Sequence, residues 1–451
     1  MWKARLTVVV VAALIGAMVA PTAAEAATPD NVLVSGRFGS GPLGGGPANG
    51  PADRPQLSGN GRYVTFDSTA TNLDRRDTTA DRDVYRRDLV TGQTVLVSVS
   101  RSRCASTTPF CNTYSWPSDD GNLIAFTSDE AIITATSPGR RVYVRNMSTG
   151  ATQMASVNSN EQPANGASSR PMISGNGRFI AFSSKATNLS SLGGNGTDLV
   201  YLRDRELGTT KLVSTSSSGG LPTGSTSSGD ASESYRGIVS DNGRYVTYSS
   251  QAGNIVRGDT NNKEDIFVKD TVTGTTERIS IRSNGSAATG GGFRPYMTPN
   301  GRYVVFNTYD PIVSADTNGR SDVYMVDRTT SPHTITWVSQ GKTGTVNTGD
   351  SLRGFVSDDG RYAVFNSYAN NLADKDFNGG RGDAFIRDVS GRRTYVLSLS
   401  TSGGGADGNS FRPVPSSDGS VVTFQSLARN LVSGDTSSGY QIYAVSTATV
   451  R

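Results

Sequence analysis

The chain has 451 residues, with 43 Lys and Arg against 39 Asp and Glu and a formal net charge of +4. So small an imbalance excludes nucleic-acid binding by bulk charge, and regular apolar stretches among 52 glycines describe a loop-rich fold rather than a disordered chain. A single histidine, His333, excludes a Ser-His-Asp or zinc-histidine centre.

Residues 1–26 read as a signal peptide that is removed. Lys3 and Arg5 precede an apolar run from Leu6 to Val19, and Ala24-Glu25-Ala26 supplies small residues for cleavage. The run is too short for a comfortable membrane span, and no comparable segment follows. The expected product is a secreted, extracellular chain of residues 27–451 forming one domain, a monomer. Loss of Lys3, Arg5 and Glu25 turns 43 basic and 39 acidic residues into 41 and 38. In an exported chain the neighbouring Cys104 and Cys111 are expected to form a small-loop disulfide.

From residue 54 onward one unit recurs seven times at a spacing of about sixty residues. Its first copy is Leu57-Ser58-Gly59-Asn60-Gly61-Arg62-Tyr63-Val64-Thr65-Phe66, and its glycine returns at Gly121, Gly177, Gly243, Gly301, Gly360 and Gly419. Four strands are predicted in the first copy: Arg54–Ser58, Arg62–Ser68, Asp83–Asp88 and Gln93–Ser100. The second is mostly apolar and so buried on both faces, and the Asn-Gly or Asp-Gly before it makes a tight turn. Four antiparallel strands repeated seven times describe an all-β, seven-bladed β-propeller. The last copy lacks its fourth strand. Val32-Leu33-Val34-Ser35 repeats Val95-Leu96-Val97-Ser98, so the N-terminal strand is expected to complete blade seven and close the ring.

The Ser-x-Asn/Asp-Gly-Arg-Tyr/Phe unit, the Asp259-Thr-Asn261 and Asp316-Thr-Asn318 loops, and the Asp322-Val-Tyr324 strand resemble the TolB-type, WD-like propeller repeats of exported bacterial proteins. The resemblance spans residues 27–451. It implies the propeller fold and leaves function open, because such propellers serve as binding scaffolds, substrate gates and occasionally enzymes.

The sharpest chemical signal is an arginine seven residues before the repeat glycine: Arg54, Arg170, Arg236, Arg294, Arg353 and Arg412, with Tyr114 in blade two. These residues should stand at the channel mouth as a ring of donor forks suited to anions. The competing reading pairs each arginine with the aspartate that opens the third strand (Asp83, Asp198, Asp265, Asp322, Asp383) and leaves Arg412, whose blade has Gln441, free. Phe293 and Phe411 precede ring arginines and could stack a sugar or engage a peptide, or plug the loop above them. Asp259-Asn261-Asp265 and Asp316-Asn318-Asp322 space oxygen side chains as a structural calcium ion would want; the same residues also suit hydrogen-bonded turns. No other cofactor is expected. Asp88, Asp204, Asp270, Asp327 and Asp388 on the opposite face should pair with Arg62 and its equivalents. The reading is a secreted module that recognises a cell-surface polysaccharide or protein through its loop-bearing face and channel mouth. The alternative is an extracellular carbohydrate-active hydrolase or lyase with its site in the same mouth.

Overall fold

The computed structural model describes residues 31–37, 46–99, 111–130, 132–133, 139–223, 237–374 and 379–451. Seven four-stranded antiparallel sheets succeed one another along the chain, the blades of a β-propeller. Blade one comprises Ala52–Leu57, Tyr63–Ser68, Asp83–Asp88 and Thr94–Leu96, running from the channel outward. The inner strand therefore starts two residues before its predicted position, and the outer strand is shorter than predicted. Among the described residues no helix is long and apolar enough to cross a membrane.

Ring closure is as the sequence predicts. Val32–Leu33 pairs antiparallel with Gln441–Ser446, placing Val32 opposite Ala444 and Leu33 opposite Tyr443. The copied serine matters here as much as the copied apolar residues. Ser35 Oγ donates to Gln441 Oε1 at 2.7 Å and accepts the Ile442 N–H at 2.9 Å. In blade one Ser98 does the same, donating to Asp83 at 2.6 Å and accepting the Val84 N–H.

Each blade is held by facing aromatics on its second and third strands. Phe66 and Tyr85 stand opposite each other with ring centroids 5.8 Å apart, and Phe182–Tyr201, Phe365–Phe385 and Phe424–Tyr443 repeat the pair. Cross-strand aromatic pairs of this kind stabilise a sheet beyond the area they bury.

The repeat motif makes the turn between the first two strands. Ser58 Oγ donates to Asn60 Oδ1 and accepts the Tyr63 N–H, while Asn60 Oδ1 accepts the Arg62 N–H. Gly61 takes φ +71°, which a side chain resists. At Gly360 a second demand is added: a Cβ there would lie 2.4 Å from the Tyr303 ring of the preceding blade. The aromatic of each Arg-Tyr/Phe pair thus rests on the next blade's glycine.

These turns also bond to one another around the channel. Asn60 N donates to Asp119 O, Asp119 N to Gly175 O, Asp241 N to Pro299 O, Asp358 N to Ser417 O and Ser417 N to Gly59 O. Gly175 N instead donates to the Asp241 carboxylate at 2.6 Å. The result is a hydrogen-bonded belt that ties blades together at the channel's turn-bearing end.

Candidate functional site

The ring arginines owe their position to a bulge. In blade one Asp53 pairs with Asp67 but Gln56 pairs with Thr65, so the inner strand carries one extra residue. Arg54 sits at the bulge with φ 54°, and Tyr114, Arg170, Arg294, Arg353 and Arg412 share that left-handed conformation at 54–61°. Such a conformation costs on the order of 1 kcal/mol or more per residue and persists only where its surroundings hold it. Pro55, Pro171, Pro295 and Pro413 follow four of these arginines. An inner strand has no neighbour on its channel side, so the lost N–H is tolerated.

What holds the bulges is a polar residue after the second-strand aromatic of the preceding blade. Thr127 Oγ1 accepts the Arg170 N–H at 3.1 Å, and Asn307 Oδ1 accepts that of Arg353 at 3.0 Å. Gln425 and Asn366 accept from Arg54 and Arg412 at 3.3 and 3.5 Å. Sequence reading passed over these residues, although a polar side chain at that place in every repeat was the available signal.

The predicted pairing of Arg54 with Asp83 is not what the structure shows. Arg54 Nη1 lies 2.9 Å from Asp67 and 3.4 Å from Asp53. Asp83, Asp265, Asp322 and Asp383 accept hydrogen bonds from the outer-strand serines Ser98, Ser280, Ser339 and Ser398. Arg412, expected to be free, has Nε 3.5 Å from Asp53 of the adjoining blade. Burial works against a charged Asp53, but Arg412 and Arg54 overcome it and hold the carboxyl below its usual range. Tyr114, the exception in blade two, lies beneath the guanidinium groups of both Arg54 and Arg170, at 4.8 and 5.5 Å from its ring centroid. It continues the ring by cation–π contact. Arg236 lies outside the described residues.

Below the arginines the channel is plugged. Two residues past the ring position stand Gln56, Trp116, Met172, Ile238, Tyr296, Phe355 and Val414, apolar or aromatic in every blade except the first. Phe355 meets Tyr296 at 4.7 Å and Trp116 at 6.3 Å, so blades two, five and six touch across the axis. A cavity of about 50 Å³ remains above the plug, lined by Arg54, Arg294, Arg353, Arg412, Gln56, Tyr296 and Phe355. Beneath the plug, at the belt, lie Asp119, Asp241 and Asp358. Burial and the neighbouring aspartates push Asp119 up to about 6, and burial together with Asp241 does the same for Asp358.

The two candidate aromatics belong to exposed clusters beside the mouth. Phe293 stacks on Tyr309 at 5.7 Å, and Arg294 lies 5.6 Å from the Phe293 ring. Phe411 contacts Tyr368 at 5.8 Å and Tyr440 at 6.4 Å. Tyr309 is 58% exposed and Tyr368 41%.

The loops considered for calcium present hydrogen-bonded turns. Asp322 Oδ1 accepts from Trp337, Ser339 and Asn347, and its Oδ2 accepts from Asn318. Asp316 accepts the Tyr324 hydroxyl. Asn261 donates to Asp265 at 2.8 Å, and Arg278 stands 3.3 Å from Asp259, a poor neighbour for a cation. Among the described residues no group of three or more His, Cys, Asp or Glu side chains is arranged to hold a metal. Cys111 is buried and disulfide-bonded, and Cys104 lies outside the described residues. His333 bonds Glu277 and the Thr330 carbonyl, away from the mouth. On the opposite face Arg62–Asp88, Arg178–Asp204, Arg244–Asp270, Arg302–Asp327 and Arg361–Asp388 form the expected pairs at 2.7–3.3 Å.

No protein-family model and no curated protein matches the chain. Among solved structures it is similar to TolB from Acinetobacter baumannii, at 15% identity and a TM-score of 0.41 over 75% of this chain; it spans 63% of that one. It is also similar to the β-propeller domain of the trilobed protease from Pyrococcus furiosus, at 9% identity and a TM-score of 0.52, covering 88% of this chain and 95% of that one. An oligogalacturonate lyase in complex with manganese matches at 10% identity and a TM-score of 0.51, covering 93% and 98%. At such identities the likeness is one of fold, and the chain is a seven-bladed β-propeller.

Proposed function

We propose that this propeller is an exported binding module that takes an anionic group of an extracellular polymer, polysaccharide or protein, at the arginine-lined mouth of its channel. The observation that carries the reading is the set of strained bulges that turn Arg54, Arg294, Arg353 and Arg412 toward one cavity. Guanidinium forks bind carboxylate, sulfate and phosphate oxygens in pairs of parallel hydrogen bonds. The aromatic plug makes the mouth a blind recess, which suits a recognition site better than a gate between two compartments. It also disfavours turnover, because Asp53 and Asp67, the carboxylates beside the recess, are engaged by arginines. Export rests on the N-terminal pattern of charge, apolar run and small residues.

The test is binding of the mature chain to a panel of anionic and neutral bacterial polysaccharides, with Arg294→Ala/Arg412→Ala alongside. Salt-sensitive binding to anionic members, lost in a variant that still melts cooperatively, is the expected result. Binding indifferent to both substitutions would remove the mouth as the site.

A further inference from the structure

Gln56 is the polar exception in the plug. It is 6% exposed, it lines the arginine cavity, and its Oε1 has no hydrogen-bond partner. A buried acceptor left unsatisfied is unfavourable, and a residue like the Met172 or Val414 of other blades would remove that cost. The recess thus combines guanidinium groups in its wall, those of Arg54 and Arg412 shared with Asp53 and Asp67, with the Gln56 acceptor in its floor. A ligand that satisfies both carries an anionic group and a hydrogen-bond donor close together.

The rim adds a third requirement. Tyr309 stacks on Phe293, which itself adjoins Arg294, and Tyr368 meets Phe411, the residue before Arg412. Two exposed tyrosine rings therefore flank the recess on the side of blades five to seven. A flat, exposed ring beside a charged recess suits a flat apolar face that carries polar groups at its edge. Sugar rings bearing carboxylates combine all three features: carboxylate for the guanidinium forks, hydroxyl for Gln56, and a C–H face for the tyrosines.

We infer that the ligand is an acidic polysaccharide, whose carboxylate enters the recess while its sugar rings lie on Tyr309 and Tyr368. The inference rests on the proposed anion-binding mouth and narrows it to one ligand class. An acidic peptide offers carboxylates and N–H donors too, but no sugar face for the tyrosines.

The experiment titrates the mature protein with alginate oligosaccharides, the same oligosaccharides after carboxyl reduction, and poly-glutamate of matched length. Three variants accompany it: Tyr309→Ala/Tyr368→Ala, Gln56→Met, and Arg294→Ala/Arg412→Ala. Alginate oligomers are expected to bind, and carboxyl reduction to weaken them at least about tenfold. The tyrosine variant, altered at exposed positions, should lose several-fold in affinity. Gln56→Met should weaken binding while melting no lower than the parent, an outcome that a purely structural Gln56 would not give. Affinity for alginate unchanged in the tyrosine and Gln56 variants, or equal affinity for poly-glutamate, would overturn the polysaccharide assignment while the anion site stands. Absence of binding by any acidic polymer, or binding unaffected by the arginine substitutions, would overturn both.

Discussion

Deleting residues 31–37 removes the strand that closes the ring. Leu33 and Val34 are 4% and 0% exposed, and burying side chains of this size contributes about 1.5–3 kcal/mol each. The ladder to Gln441–Ser446, the Val34 N–H to Ile442 O bond and the two Ser35 hydroxyl bonds add roughly 1 kcal/mol apiece. The loss comes to about 7–10 kcal/mol. For a chain of this length unfolding entropy is about 0.9 kcal/mol per degree, so the deletion should lower Tm by about 8–11 °C. It should also bare the edge of Gln441–Ser446 and favour association through that edge. Differential scanning calorimetry reads the first effect and size-exclusion chromatography the second. A monomeric deletion variant melting within about 1 °C of the parent would refute the argument, because the closing strand would then contribute almost nothing to stability. Ser35→Ala separates the hydroxyl's share, expected at about 1–2 °C on the same scale.

Burial raises Asp83 to about 7, while Asp119 and Asp358 stand at about 6. Between the unfolded value near 4 and these folded values, the folded chain holds protons that the unfolded chain has released. Stability contributed by these groups therefore falls as pH rises from about 4 to 7; Asp119→Asn should raise Tm at the upper end and flatten the profile, and a Tm that climbs with pH between about 5 and 7 would contradict this. The Arg-paired Asp88 and Asp270, at about 2, lose their contribution only under stronger acid. Gly360→Ala meets both a positive φ and the Tyr303 ring, whereas at Gly61 the nearest atom to a new Cβ is 3.3 Å away. Urea titration should show Gly360→Ala costing about 1–3 kcal/mol more than Gly61→Ala; equal costs would deny the inter-blade contact. Chelation with EDTA should leave Tm within about 1 °C, since the Asp-Asn loops are hydrogen-bonded turns; a drop of several degrees would show that they hold a cation after all.

Blade count and closure were legible because strands, turns and the copied Val-Leu-Val-Ser segment are local patterns. The arginine ring was legible as a position but not as a set of contacts. Asp83 and Asp67 are both acidic residues of blade one, and only the bulge decides that Arg54 reaches Asp67. An inserted residue in one strand leaves no mark on composition or period. The plug was hidden for another reason: Trp116, Tyr296 and Phe355 meet across the axis from blades far apart in sequence. Gln56 shows that a single departure from an internal pattern can matter more than the pattern. It stands five residues before the repeat glycine, where the other six repeats carry an apolar or aromatic residue.

Arginines line the channel at one end and aspartates at the other. An inner strand of six residues spans roughly 20 Å, more than twice the Debye length of about 8 Å at physiological salt. A negatively charged polymer near the mouth is thus attracted by the guanidinium layer and shielded from the carboxylates beneath. At the other end the channel opening is lined by Asp119, Asp241 and Asp358 instead, so its two openings are not equivalent to an anion.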